Sequence, residues 1–113
     1  MKPLIIGEGR TTLRYEIQRR GRDISVHIDG GASHLGSVSM AEGEALQTLS
    51  FPGHEESHLT EPLAKKLAAA FPCRIVVSGG VHLDDITKEE IRRILQQNEA
   101  AASELITRLQ NEE

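Results

Sequence analysis

The chain has 113 residues, 38% hydrophobic and 27% charged, with a formal net charge of −4; this length supports one hydrophobic core and not two. Aromatic residues make up only 3% and tryptophan is absent, so neither base stacking nor attraction to a phosphate backbone has a basis, and nucleic acid is not expected as a partner. The lone Cys73 excludes an internal disulfide and any paired-cysteine motif, and no stretch nears the ~20 apolar residues of a membrane span.

The first ten residues, MKPLIIGEGR, hold an apolar run too short for a signal peptide. A single cysteine suits a reducing cytoplasm, which is the expected setting. Residues 6–12, IGEGRTT, resemble part of a phosphate loop but lack its lysine and the helix that should follow. A glycine-rich lead into a strand is the simpler reading, with Arg10 still able to meet a phosphate or carboxylate.

Residues 11–29 read as a β-hairpin. Leu13, Tyr15 and Ile17 alternate with polar residues, and so do Ile24, Val26 and Ile28 after the RGRD turn. His27 and Asp29 share the polar face of the second strand. They are surface residues if that face is open and a functional pair if a ligand or another chain covers it. A glycine-rich connection, DGGASHLG, leads to a weaker hairpin with Val38 and Met40 on one arm, Gly43 in the turn, and Leu49 and Phe51 on the other arm.

In FPGHEESHLTEPL, residues 51–63, His54 and His58 stand four apart, a metal-binding spacing on a helix. Gly53 and Pro62 argue against a helix there. A zinc site also needs three or four convergent ligands, so a polar loop is preferred, with His54 and His58 as the metal alternative. TEPLAKKLAAAF follows as an amphipathic helix, begun near Thr60 so that Pro62 falls in its first turn. The unbroken Ile75-Val76-Val77 then suggests a strand buried on both sides, ending or bulging at Gly79-Gly80.

In GGVHLDD, residues 79–85, His82 and Asp84 point the same way if the segment is extended, and the glycines let a ligand approach the backbone. The plain alternative is a strand end and a loop into a capped helix. That helix has a clear start, because Thr87 and Glu90 form a T-x-x-E capping box. Its stripe of Ile91, Ile94, Leu95, Leu105 and Leu109 exceeds what one small sheet can cover, which predicts a homodimer. Cys73 has no adjacent base and reads as a small structural hydrophobe. The expected fold is α+β: a mainly antiparallel sheet of two hairpins and a fifth buried strand, with two helices, in one domain over 1–113.

Three segments, IGEGRT, FPGHEE and VVSGGVHLDDITKEEI, together resemble the small D-subunit family of the bacterial hydroxyarylic acid decarboxylases of gallate and 4-hydroxybenzoate type. Its members are regarded as chaperones for prenylated flavin. The likeness runs over nearly the whole chain. It is most distinctive where Gly80, His82, Asp84 and the run Ile86-Thr87-Lys88-Glu89-Glu90-Ile91 fall in order, with Val81 and Leu83 at variable positions. The resemblance implies the fold of the bacterial relatives of proteasome-assembly chaperones, an antiparallel sheet with helices, commonly dimeric. It also implies a non-catalytic accessory protein that matures or delivers prenylated FMN to a large aromatic acid decarboxylase; no metal is expected, because the loop of His54 and His58 shows no third nitrogen or sulfur ligand. Arg10, His54, Gly79, Gly80, His82 and Asp84 would face the flavin. Two other classes stay open: a small enzyme using His54 or His82 as general base, and a dimeric assembly module.

Overall fold

The computed structural model describes residues 1–51 and 57–112. Along the chain run β1 (Leu4–Ile6), a 3₁₀ turn at Gly9–Thr11, β2 (Leu13–Arg20), β3 (Asp23–Gly31), β4 (Ser37–Glu42), β5 (Ala45–Ser50), α1 (Ser57–Ala70), β6 (Ile75–His82) and α2 (Lys88–Asn111). The two expected hairpins form, β2 with β3 and β4 with β5. Gly21 and Gly43 take the left-handed φ, 62° and 58°, that their tight turns need.

The expectation of a five-stranded, mainly antiparallel sheet is corrected on two counts. The sheet has six strands in the order β1-β2-β3-β6-β4-β5, and β6 runs parallel to β3. The extra strand is the run Leu4-Ile5-Ile6, which pairs with Tyr15, Arg14 and Leu13; three residues are too few to display an alternation. The parallel pair follows from α1, which carries the chain back over the sheet and delivers β6 into the slot between the hairpins. Such a crossover is what a parallel neighbour requires. The class remains broadly α+β.

Both helices cover the same face. On it lie Leu13, Tyr15, Ile24, Val26, Ile28, Ile75 and Val77, all essentially sealed from solvent. Two polar pins fasten the layers together. Tyr15 Oη donates to Asn98 Oδ1 of α2 at 2.6 Å, and Asn98 Nδ2 donates to the Leu59 carbonyl of α1 at 2.9 Å. Thr60 Oγ1 lies 3.0 Å from Ser37 Oγ and 2.8 Å from Ser39 Oγ, which in turn reaches Thr48 Oγ1 at 2.8 Å. Each of these buried polar groups therefore has a partner, as burial demands.

Three details differ from expectation. Among the described residues α1 runs Ser57–Ala70, so Pro62 sits inside it, and His58, whose carbonyl Pro62 cannot bond, is exposed. α1 and the sheet together cover much of the α2 stripe: Ile94, Leu105 and Leu109 are buried, while Ile91 and Leu95 stay 43% and 38% exposed. β6 is central but covered on one face only, since Val76 and Ser78 are half-buried on the other. Among the described residues, no helix is long and apolar enough to cross a membrane.

Candidate functional site

The face of the sheet away from the helices carries the alternate residues of the same strands. Register sets them in rows. One row runs Glu16, His27, Ser78, Val38, Leu49 across β2, β3, β6, β4 and β5. A second runs Gln18, Ser25, Val76, Met40, Gln47. Each row is polar toward β2, and both hold apolar residues at β4, so the face has a polar side and an aliphatic side.

His27 is the centre of the polar side. Its Nδ1 lies 3.0 Å from Ser78 Oγ and its Nε2 lies 3.2 Å from Asp29 Oδ1. The pair His27 and Asp29, expected from their shared strand face, is thus joined by a serine that only the insertion of β6 beside β3 brings into reach. A serine, histidine and aspartate in line do not by themselves make a nucleophile here. Ser78 lies in the interior of a strand paired on both sides, where no free backbone amides are left to form an oxyanion hole.

Next to this chain of side chains stand Gly79 and Gly80. They lie inside β6, opposite Ile28 and Asp29 of β3, rather than at a strand end. Gly79 has φ 138°, and a Cβ on it would lie 2.0 Å from the Ile28 carbonyl oxygen. Only glycine fits there. A Cβ on Gly80 would lie 2.8 Å from the His34 ring, so Gly80 is the seat of that imidazole. His34 in turn meets His82 edge-on, with ring centroids 5.9 Å apart.

His82 and Asp84 do point the same way, with His82 Nε2 3.3 Å from Asp84 Oδ1, both well exposed. Arg10 reaches this segment from the 3₁₀ turn. Its Nη2 donates to the Asp84 carbonyl at 2.7 Å, and its Nε donates to Glu90 Oε2 at 2.7 Å. Glu90 also closes the capping box: Thr87 N donates to Glu90 Oε1 at 3.0 Å, and Glu90 N donates to Thr87 Oγ1 at 3.1 Å. The Thr87 backbone N–H first, and then Arg10, hold the Glu90 carboxyl below its usual range. Arg10 is therefore a strap across the start of α2 more than a free cation. The lead before it is equally committed, for Gly7 packs against Gln97, whose Nε2 donates to the Thr11 carbonyl at 2.8 Å.

The structure thus gathers Gly79, Gly80, His82 and Asp84 at one end of the sheet, with Arg10 bound to Asp84 from outside. His54 lies outside the described residues, and with it the expected meeting with His82 and the metal alternative with His58. Among the described residues, no group of three or more His, Cys, Asp or Glu is placed to hold a metal ion. Two residues at this end carry no mark in the sequence, His34 and Ser78. Nothing local singles out His34. Ser78 becomes visible once β6 is known to neighbour β3.

The chain belongs to the prenylated flavin chaperone LpdD-like domain family, whose model matches residues 7–110. It is similar to protein LpdD of Lactiplantibacillus plantarum, 24% identical over 101 residues that cover 83% of this chain and 74% of that protein. Its role is that of a prenylated-flavin chaperone.

Proposed function

We propose that the chain is a non-catalytic, cytoplasmic accessory protein that holds prenylated FMN as cargo on the open face of its sheet and passes it to a partner aromatic acid decarboxylase. The observation that carries this reading is the open face of the sheet near the end of β6, where His34, seated over the buried Gly80, and the exposed His82 adjoin the chain of Ser78, His27 and Asp29. Chaperoning needs binding that is specific yet releasable. A shallow surface with a polar side and an aliphatic side meets that need better than an enclosed cavity, which buries most of its ligand.

The residues present suit the ring system of a flavin. Hydrogen-bonding side chains lie beside Val38, Val76, Met40 and Leu49, so a flat ring would find polar partners at one edge and aliphatic contact under the other. Gly79, Gly80, His82 and Asp84 form the rim in this proposal. Arg10 serves by holding Asp84 in place, because two of its nitrogens already bond Glu90 and the Asp84 carbonyl. The bound flavin supplies its reactive ring only once it reaches the decarboxylase.

Homodimerisation belongs to the same proposal. Its support is apolar surface left exposed: Ile91 and Leu95 on α2, and Met40, Leu49 and Phe51 at the β4–β5 side. The test is co-purification with the decarboxylase, with and without prenylated FMN, and decarboxylase activation measured for His82→Ala. Complex formation that depends on prenylated FMN, with activation reduced in the variant, is expected. A wild-type protein that neither binds prenylated FMN nor raises decarboxylase activity would refute the reading. Light scattering at micromolar concentration should return the mass of two chains.

A further inference from the structure

Among the described residues, the large hydrophobic side chains left most in water gather at one corner of the sheet. Leu35 is 75% exposed, Phe51 64% and Leu49 60%. Register explains why they meet. Leu49 on β5 stands opposite Val38 on β4, and the pair of Ser50 and Ser37 ends the hairpin. Leu35 leads into β4 just before that end, and Phe51 leaves β5 just after it. Gly36 N donates to the Gly79 carbonyl at 3.0 Å, which ties this lead-in to β6. β5 is an edge strand, and no charged residue occurs from Ala45 to Phe51. Tyr15 and Phe71 are buried in the core, so Phe51 is the one aromatic ring at the surface.

A contiguous apolar patch of this kind marks a surface that something covers. Its place in the fold points to the cargo. Leu35 is next in sequence to His34, whose ring is seated over Gly80, and Leu49 continues the row of Ser78 and Val38. The corner therefore borders the polar groups of the open face. The chemistry of the cargo agrees. Prenylated FMN and FMN share the ribityl chain, the phosphate and the outer polar edge of the ring, and prenylation adds hydrocarbon alone. Contacts to the shared groups cannot tell the two flavins apart. Apolar contact that only the added hydrocarbon makes can do so, because specificity is a difference between two affinities.

We infer that Leu35, Leu49 and Phe51 form the contact surface for the prenyl-derived hydrocarbon of the cargo, and that this corner selects prenylated FMN over FMN. The inference rests on the flavin-holding function proposed above and deepens it by naming the residues that set specificity. Val38, Val76 and Met40 lie under the ring that both flavins share. Leu49 adjoins them through Val38, so a ring placed there brings its prenylated edge to the corner. Prenylated FMN then removes apolar surface from water on both partners, and plain FMN leaves the corner wet. Burying part of a prenyl group is enough for a preference of about tenfold.

The experiment is a pair of equilibrium titrations of the full chain, with prenylated FMN and with FMN in the same redox state. The wild type should bind prenylated FMN about tenfold more tightly or better. In Leu49→Ser and Phe51→Ser that preference should fall toward unity through weaker prenylated FMN binding, with FMN affinity kept. Ile5→Ser, at a residue 57% exposed on β1 across the sheet, should change neither affinity. Equal binding of the two flavins by the wild type overturns the inference and leaves the flavin-holding function intact. So does an equal weakening of both flavins in the corner variants, which makes the corner general support for the ring. Loss of the dimer mass in light scattering with both affinities unchanged also overturns it, and gives the corner to a second copy. Absence of prenylated FMN binding by the wild type overturns both readings. The comparison of two flavins on the wild type decides the selectivity even if a variant does not fold.

Discussion

The two faces of the sheet are built from the same strands and differ by one residue of register. Val77 on β6 is sealed beneath the helices, and its neighbour Ser78 is half-buried on the open side. On the covered face every polar atom named above is matched to another protein atom, and large aliphatic side chains fill the rest. On the open face the groups are half exposed, the hydrogen bonds join side chains at the surface, and apolar residues such as Met40 and Leu49 remain in water. Period-two alternation thus lets each strand fill the core with one set of residues and present the alternate set to the open face. The comparison predicts that equal chemical insults on the two sides have very unequal effects.

The largest should come from the covered face. Leu105 of α2 is fully buried in the core, and Leu105→Ala should cost about 2–5 kcal/mol of unfolding free energy, from lost transfer energy and the cavity left behind. Urea unfolding measures it. A loss under about 1 kcal/mol would mean that α2 is not packed as described.

Next comes the polar pin. Asn98→Ala strands the buried Tyr15 hydroxyl, at about 1–3 kcal/mol for a buried group left without a partner, while the Leu59 carbonyl keeps its bond within α1. Tyr15→Phe in the same background should recover part of the loss, because it removes one stranded group. Burial also pushes the Tyr15 hydroxyl above its ordinary value of 10.0. A raised folded pKa contributes stability that is fully present below that ordinary value and is lost as pH rises above it. Alkaline unfolding of the wild type should therefore show a step that Tyr15→Phe lacks.

The two hairpins were legible because alternation over six to nine residues is a strong local signal, and the α2 start was legible because a capping box lies within four residues of chain. β1 was not, since three apolar residues are compatible with many structures. The direction of β6 was not, because it depends on how far α1 carries the chain. The site divides the same way. His27 with Asp29, and His82 with Asp84, are each two residues apart and could be paired from sequence. Ser78 with His27 is 51 residues apart, and His34 meets Gly80 only after β6 enters the slot. Arg10 was misleading for a related reason: its partners, Asp84 and Glu90, lie 74 and 80 residues away.

That strap gives a smaller, pH-dependent effect at the boundary between the faces. The Glu90 carboxyl is lowered from its ordinary value of 4.5, first by the Thr87 N–H and then by Arg10. A depressed folded pKa contributes stability present above the unfolded value and lost as pH falls through the folded one. The wild type should therefore lose stability progressively below about pH 4.5, and Glu90→Gln should flatten that part of the curve. Thr87→Ala should cost about 1 kcal/mol at neutral pH through loss of the cap. An unchanged acid limb in Glu90→Gln would show that the strap is not formed in solution.

The smallest effect should lie on the open face, and it bears most on the comparison. Ser78→Val removes the hydroxyl that meets His27 Nδ1 and replaces it with a β-branched side chain suited to a strand. The lost bond is half exposed, so water can take the place of the hydroxyl at His27, and no buried group is stranded. The added methyl groups extend the aliphatic surface of Val38 and Val76 beside them. These terms oppose each other, and the net change in unfolding free energy should stay within about 0.5 kcal/mol, as for surface substitutions generally. Prenylated FMN binding, in contrast, should weaken, since the polar side of the open face loses the hydroxyl that meets His27. Chemical denaturation and flavin titration on one preparation separate the two readouts. A destabilisation above about 1 kcal/mol with binding unchanged would assign the chain of Ser78, His27 and Asp29 to the fold instead of the ligand, and the division of labour between the two faces would fail at its centre.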